Sequence, residues 1–134
     1  MTIPTDLGRT HDLIEKTTTG QIIGAFYAVY NELGSGLLES AYAGALEVEF
    51  TERGIEHIRE FPLAVYYHGR VVATYRSDFL VRRRVMVEVK SARVITDGDR
   101  QQLLHYLRAT RTQVGLLLHF GPQARFYRMV NGGQ

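Results

Sequence analysis

Apolar residues recur at helical spacing over residues 18–33, where Ile22, Phe26, Val29 and Leu33 share one side with Ile23 and Tyr30 beside them. Gly34-Ser35-Gly36 ends that predicted helix. A second helix is expected over residues 37–53, with Leu38, Ala41, Ala45, Leu46 and Val48 as its apolar side and Gly54 as its stop. The period then changes. Residues 56–67, 71–81 and 85–92 are rich in Val, Tyr, Phe and Ile and read as strands, with turn signals at His68-Gly69 and at Arg82-Arg83-Arg84. A helix is predicted over residues 97–110, capped by Thr96 or Asp97, with Asp99 suiting its first turn. Strands over residues 113–120 and 124–130, parted by Gly121-Pro122, close the pattern. The order α-α-β-β-β-α-β-β predicts an α/β (mixed α+β) domain, a mixed sheet with helices packed on it. Residues 1–16 read as a loose, charged lead-in and residues 17–134 as a single domain.

Composition narrows the class. A chain of 134 residues suits one domain, and 45% hydrophobic residues argue against disorder. With no cysteine, disulfides, thiol nucleophiles, zinc–thiolate sites and iron–sulfur clusters are excluded. No apolar run approaches the roughly 20 residues that span a bilayer, and residues 1–16 hold no apolar signal core. A cytoplasmic protein without a membrane segment is the expectation. The net charge of +2 hides an asymmetry: Met1 to Tyr67 carries 4 basic and 10 acidic side chains, His68 to Gln134 carries 12 and 4. The basic half suits a polyanion such as nucleic acid; a dipolar surface with no partner fits the count equally. Arginine supplies 14 of the 16 basic residues, so a lysine at position 90 invites a chemical reason.

That lysine closes the most informative stretch. Alternation along residues 85–90 puts Val85, Val87 and Val89 on one face, read as the core, and Met86, Glu88 and Lys90 on the other. Glu88 and Lys90 then stand about 6.5–7 Å apart. A hairpin turning at Arg82–Arg84 sets Asp78 opposite Glu88. Facing carboxylates repel unless a positive charge lies between them, and a hard divalent cation such as Mg²⁺ takes oxygen ligands. A neighbouring lysine orients or deprotonates a water, and the cation polarises a phosphodiester. An edge strand with Glu88 and Lys90 on a solvated face, and Asp78 in a turn, gives the same pattern without chemistry. The five histidines show no ligand spacing, and no transition-metal site is expected.

Gly36-Leu37-Leu38-Glu39-Ser40-Ala41-Tyr42 resembles the signature of the GxxExxY protein family, which is assigned to the PD-(D/E)XK nuclease superfamily. The resemblance runs in order over about residues 18–130. It includes Ile22-Ile23-Gly24-Ala25, Leu33-Gly34, Glu52-Arg53-Gly54, Tyr75 to Val81, Val87-Glu88-Val89-Lys90, Gln102 to Leu107 and Gly115 to Gly121. His105 and His119 stand where the family more often has Asn. The resemblance implies a restriction-endonuclease-like core and a metal-dependent nuclease that hydrolyses phosphodiester bonds in DNA or RNA with Mg²⁺ or Mn²⁺. Asp78 and Glu88 match the metal-binding carboxylates, Lys90 the catalytic lysine, and Glu39 the acidic residue lent to the metal by the first core helix. Gln102 and Tyr106 match a substrate-contacting or supporting pair.

The same residues have plainer readings. Glu39 in the first turn of a helix gains about 0.3–1 kcal/mol from the macrodipole. Tyr42, one turn on, packs or bonds beside Glu39 or is a core tyrosine. Gln102 and Tyr106 at i and i+4 form a polar stripe. Gly36 serves the backbone. Arg82, Arg83 and Arg84 grip phosphate or form a solvated turn. Arg93, with Arg76, Arg100, Arg108 and Arg111, lines a nucleic-acid groove or is ordinary surface charge. Two functions of different class therefore stand: a nuclease, or a non-catalytic nucleic-acid-binding or protein-interaction module that retains the nuclease fold. A homodimer or protein partner stays open.

Overall fold

The computed structural model describes residues 15–132, so residues 1–14 of the expected lead-in lie outside it. Its elements are α1 (Lys16–Leu33), α2 (Glu39–Glu52), β1 (His57–Tyr67), β2 (Arg70–Val81), β3 (Val85–Lys90), α3 (Asp97–Thr110), β4 (Val114–Phe120) and β5 (Ala124–Val130). The order is the one expected. The five strands lie side by side in chain order. β3 and β4 are parallel, joined by the α3 crossover, and every other neighbouring pair is antiparallel.

β3 is the middle strand and is covered on both faces. On one, Val85, Val87 and Val89 pack with Leu116, Leu118 and Phe120 against α1 and α2. On the other, Met86 and Leu117 pack against Leu103 and Leu107 of α3. The reading of residues 85–90 as an edge strand with a solvated face is thereby corrected: fully buried Met86 stands on the face that also carries Glu88 and Lys90. A central parallel strand needs both faces apolar, and polar positions there are exceptional. Glu88 and Lys90 themselves are half-buried.

The helix faces differ in part from expectation. α2 begins at Glu39, two residues later than predicted, and buries Tyr42, Ala43, Leu46 and Phe50. Leu38 and Val48 stand in solvent at 78% and 56% exposure. Apolar residues occur all round this helix, so periodicity alone does not choose the face. Aromatic size does: Tyr42 stacks on Phe120 with centroids 4.1 Å apart, and Phe50 meets Phe79 edge-on at 5.2 Å. In α1 the buried residues include Ile22, Ala25, Phe26 and Val29, while Leu33 is 39% exposed.

The Gly34–Leu37 connection sets where α2 enters. Gly36 has φ 101, open to glycine and strained for side chains. The Tyr42 hydroxyl donates to the Gly34 carbonyl at 2.6 Å and accepts from the Leu37 N–H at 3.2 Å. Tyr42 therefore fastens the connection rather than pairing with Glu39. At the other crossover, Thr96 caps α3: its hydroxyl accepts from Asp99 N–H at 3.1 Å, and the Asp99 carboxylate accepts from Thr96 N–H at 2.9 Å.

Candidate active site

The site forms where β2 parts from β3. Their ladder pairs Val81 with Val85, Leu80 with Met86 and Phe79 with Val87, and ends there. Opposite Asp78 the β1 ladder is interrupted too, passing from Arg59↔Phe79 to Phe61↔Ser77. Glu60, at the missing pair, has φ 54, a left-handed conformation. β2 bends here. Tyr75 and Phe79 share strand parity, yet Phe79 packs under α1 and α2 while Tyr75 packs under α3.

Beyond the last ladder pair, the Val89 and Ser91 N–H groups lack strand partners on β2. Residues two apart present their amides to the same edge. The Asp78 carboxylate accepts from Val89 N–H at 2.7 Å, and the Glu39 carboxylate, on the first residue of α2, accepts from Ser91 N–H at 3.2 Å. Two carboxylates thus stand in for the absent strand. Asp78, Glu39 and Glu60 line a cleft of about 220 Å³, with Arg59 at its wall. Arg59 is engaged by Glu47 at 3.1 Å.

Glu88 is held on the side of β3 beneath α3. Its Oε2 accepts from the Tyr75 hydroxyl at 2.5 Å, and the Tyr75 ring stacks on Tyr106 at 3.6 Å. Burial, then the charge of Asp78, pushes the Glu88 carboxyl up to about 8, against the opposing pull of the Tyr75 hydroxyl and the Lys90 charge. Asp78 is raised as well. Burial is the main cause, the Val89 N–H opposes it, the Glu39 charge adds to it and the Lys90 charge counters it. The Tyr75 hydroxyl is driven far above its ordinary range by burial and then by the Glu88 charge. The ammonium of Lys90 thus acts on both acids from the end of β3, where Lys90 lies beside His119 in the parallel ladder.

The other expected site residues divide. Tyr106 joins the site through Tyr75. Gln102, one turn earlier, is exposed and makes no hydrogen bond among the described residues. Arg93 is exposed beside the Glu39 end of the site, over a hollow lined by Ser35, Gly36 and Ser91. Arg82, Arg83 and Arg84 lie at the opposite end of β3 from Lys90. Tyr75 and Glu60 were not expected, because both reach the site where the β1–β2 ladder is interrupted around Glu60 and Asp78, which spacing does not record. His119 is buried; its Nε2 donates to the Ala92 carbonyl at 2.6 Å, fixing the loop after β3, and its Nδ1 has no partner among the described residues.

Glu39, Asp78 and Glu88 supply hard oxygen donors, and two of them are held towards the neutral form, first by burial and then by a neighbouring carboxylate, Asp78 acting on Glu88 and Glu39 on Asp78. That donor set suits a hard divalent cation. As placed, each carboxylate is occupied by an N–H or O–H donor, and no group of three or more His, Asp or Glu side chains among the described residues is arranged to hold an ion.

A helix-flanked mixed sheet with an acid–acid–lysine set at the parting of its central strands defines a nuclease-type fold. Residues 16–129 match the PD-(D/E)XK nuclease superfamily, and the chain belongs to it. The crystal structure of SSO0001 is similar in fold, with a TM-score of 0.54 at 19% identity, covering 90% of this chain and 60% of that one. The chain thus spans less than two thirds of that protein's length. No curated protein matches the chain. No helix among the described residues is long and apolar enough to cross a membrane.

Proposed function

We propose that the protein is a metal-dependent nuclease that hydrolyses phosphodiester bonds in DNA or RNA, and that it belongs to the GxxExxY branch of its superfamily. The observation that carries the reading is that Asp78 bonds the Val89 N–H, between Glu88 and Lys90 on β3, where β2 and β3 part. The GxxExxY string acquires a physical sense: Gly36 makes the turn, Tyr42 fastens it, and Glu39 is delivered to the β3 edge.

Asp78 and Glu88 would hold Mg²⁺ or Mn²⁺, with Glu39 bound directly or through a water. When bound, such a cation neutralises charge on the scissile phosphate and polarises the P–O bond. Glu88 must shed its proton to serve. Tyr75 favours that ionised form and fixes the carboxylate's orientation. Lys90 orients the attacking water and takes part in its deprotonation. Tyr106, through its stack on Tyr75, supports Glu88 from α3.

The test is cleavage of plasmid DNA and of single-stranded RNA with Mg²⁺ or Mn²⁺. Wild type is expected to cut, and Lys90→Ala and Glu88→Ala to lose at least about 100-fold, the scale of a removed acid–base or electrostatic group. Cutting that survives both substitutions would overturn the mechanism. The alternative, a binding domain that keeps the fold without turnover, is favoured by the hold of Tyr75 on Glu88. It predicts salt-sensitive binding and no cleavage with any divalent ion.

A further inference from the structure

At the end of the molecule remote from Lys90, two hollows of about 600 and 450 Å³ share Arg111 and Gln113 and form one continuous groove. Arg108 and Asn131 line one part, Arg83 and Arg84 the other. The six side chains are hydrogen-bond donors, four of them guanidinium groups. The acid that lines the groove, Glu15, is already paired with Arg84 at 3.1 Å. Arg83 meets Glu56 at 3.4 Å on a surface where both are well exposed, a pairing that contributes little. Neither Arg108 nor Arg111 has a carboxylate partner among the described residues; the Arg111 guanidinium instead lies over the Tyr66 ring at 4.5 Å.

Backbone geometry points the same way. Arg83 has φ 62 in the β2–β3 turn and Arg111 has φ 61 at the C-cap of α3. Both are left-handed positions that glycine occupies without strain. Arginine there is unfavourable for folding, and such strain is characteristic of sites with another use. At both strained corners the side chain borders this groove.

We propose that the groove is a second seat for a nucleic-acid backbone, separate from the carboxylate site. The inference deepens the nuclease reading by adding a tether for substrate at a distance. Strand β3 spans about 16 Å between the two ends, and α3 about 21 Å. At about 3.4 Å per step along a strand, a substrate reaching both ends extends over at least five nucleotides. Guanidinium forks and amide N–H groups suit phosphate oxygens.

The experiment is binding by full-length protein in EDTA, with a fluorescein-labelled 20-base-pair DNA duplex and a 20-nucleotide RNA as probes. In the double variant Arg83→Gly/Arg111→Gly, affinity for at least one probe is expected to fall at least about fivefold. The slope of log affinity against log salt should flatten by about 2, one for each phosphate no longer neutralised. The melting temperature is expected to hold or rise, because glycine relieves both left-handed positions, which a merely structural role for these arginines would not give. Affinity within twofold of wild type for both probes overturns the proposal. So does displacement of the bound probe by poly-glutamate as effectively as by unlabelled nucleic acid, which would assign the groove to an acidic protein. Because the measurement needs no turnover, failure of the nuclease reading in the cleavage assay leaves this result standing, and the reverse also holds.

Discussion

Glu88 and Tyr75 show how a single pair sets the chemistry available at the parting of β2 and β3. The Glu88 carboxyl binds its proton more tightly in the folded chain, at about 8, than in the unfolded one, near 4.5. The unfolded state therefore releases its proton first as pH rises. In EDTA, the stability measured by urea denaturation is expected to decline between about pH 4.5 and pH 8, and Glu88→Gln to flatten much of that decline. Tyr75→Phe keeps the stack on Tyr106 but loses the hydroxyl that favours the ionised carboxylate. By titration calorimetry at pH 7.5 its Mn²⁺ affinity is expected to be about 10-fold weaker than wild type, the scale of a lost orienting partner, with little change in melting temperature. Affinity equal to wild type would remove Tyr75 from the site. Asp78, Glu88 and Lys90 were legible as candidates from strand alternation and the hairpin, but the expected pairing of Asp78 opposite Glu88 is not made: the ladder ends at Phe79↔Val87, and Asp78 bonds the Val89 N–H instead. Tyr75 was not legible, because its reach to Glu88 depends on the bend at Ser77–Asp78 and on the left-handed Glu60 opposite.

Among the elements, α3 was the most legible, because its start is written in local chemistry. Thr96 and Asp99 cap one another, and the Thr96 N–H holds the Asp99 carboxyl below its usual range. That contribution is present above about pH 4 and is lost as pH falls through the Asp99 value in the folded chain. Thr96→Ala is expected to lower stability by about 1 kcal/mol at neutral pH; because it keeps the residue 96 N–H that holds the Asp99 carboxylate, thermal melts at pH 7 and pH 3 should show that difference persisting in acid, whereas the one for Asp99→Ala shrinks. The buried face of α2 was only partly legible. Leu46 is buried as expected, but Tyr42 and Phe50 prevailed over Leu38 and Val48 through their fit against Phe120 and Phe79. β3 was open to a reading with one solvated face because two of its six residues are charged. Its central place in the sheet follows from the β3–α3–β4 crossover, a long-range relation that no strand-sized window contains.

At the scale of the whole molecule, two apolar cores pack the fold, one on each side of the sheet. Chelation is accordingly expected to abolish cleavage while leaving the far-ultraviolet circular dichroism and the melting temperature nearly unchanged. A coincident loss of both would make the cation structural. The charge asymmetry between the halves of the chain is likewise redistributed by folding. Glu39, from the acidic half, lines one cleft with Asp78, from the basic half, while Arg83, Arg84, Arg108 and Arg111 gather at the far end. Sequence counts record the surplus of arginine but not this separation.

The strands lie in the order in which the chain supplies them. Every group placed in the metal-binding set, and the lysine beside it, precedes residue 91, whereas the layer that shuts them from water on the α3 side comes after. During synthesis the hairpin bearing Asp78 and Glu88 leaves the ribosome before α3 and β4 exist to cover it. The burial that raises the Glu88 carboxyl is completed only when α3 docks over that face of β3.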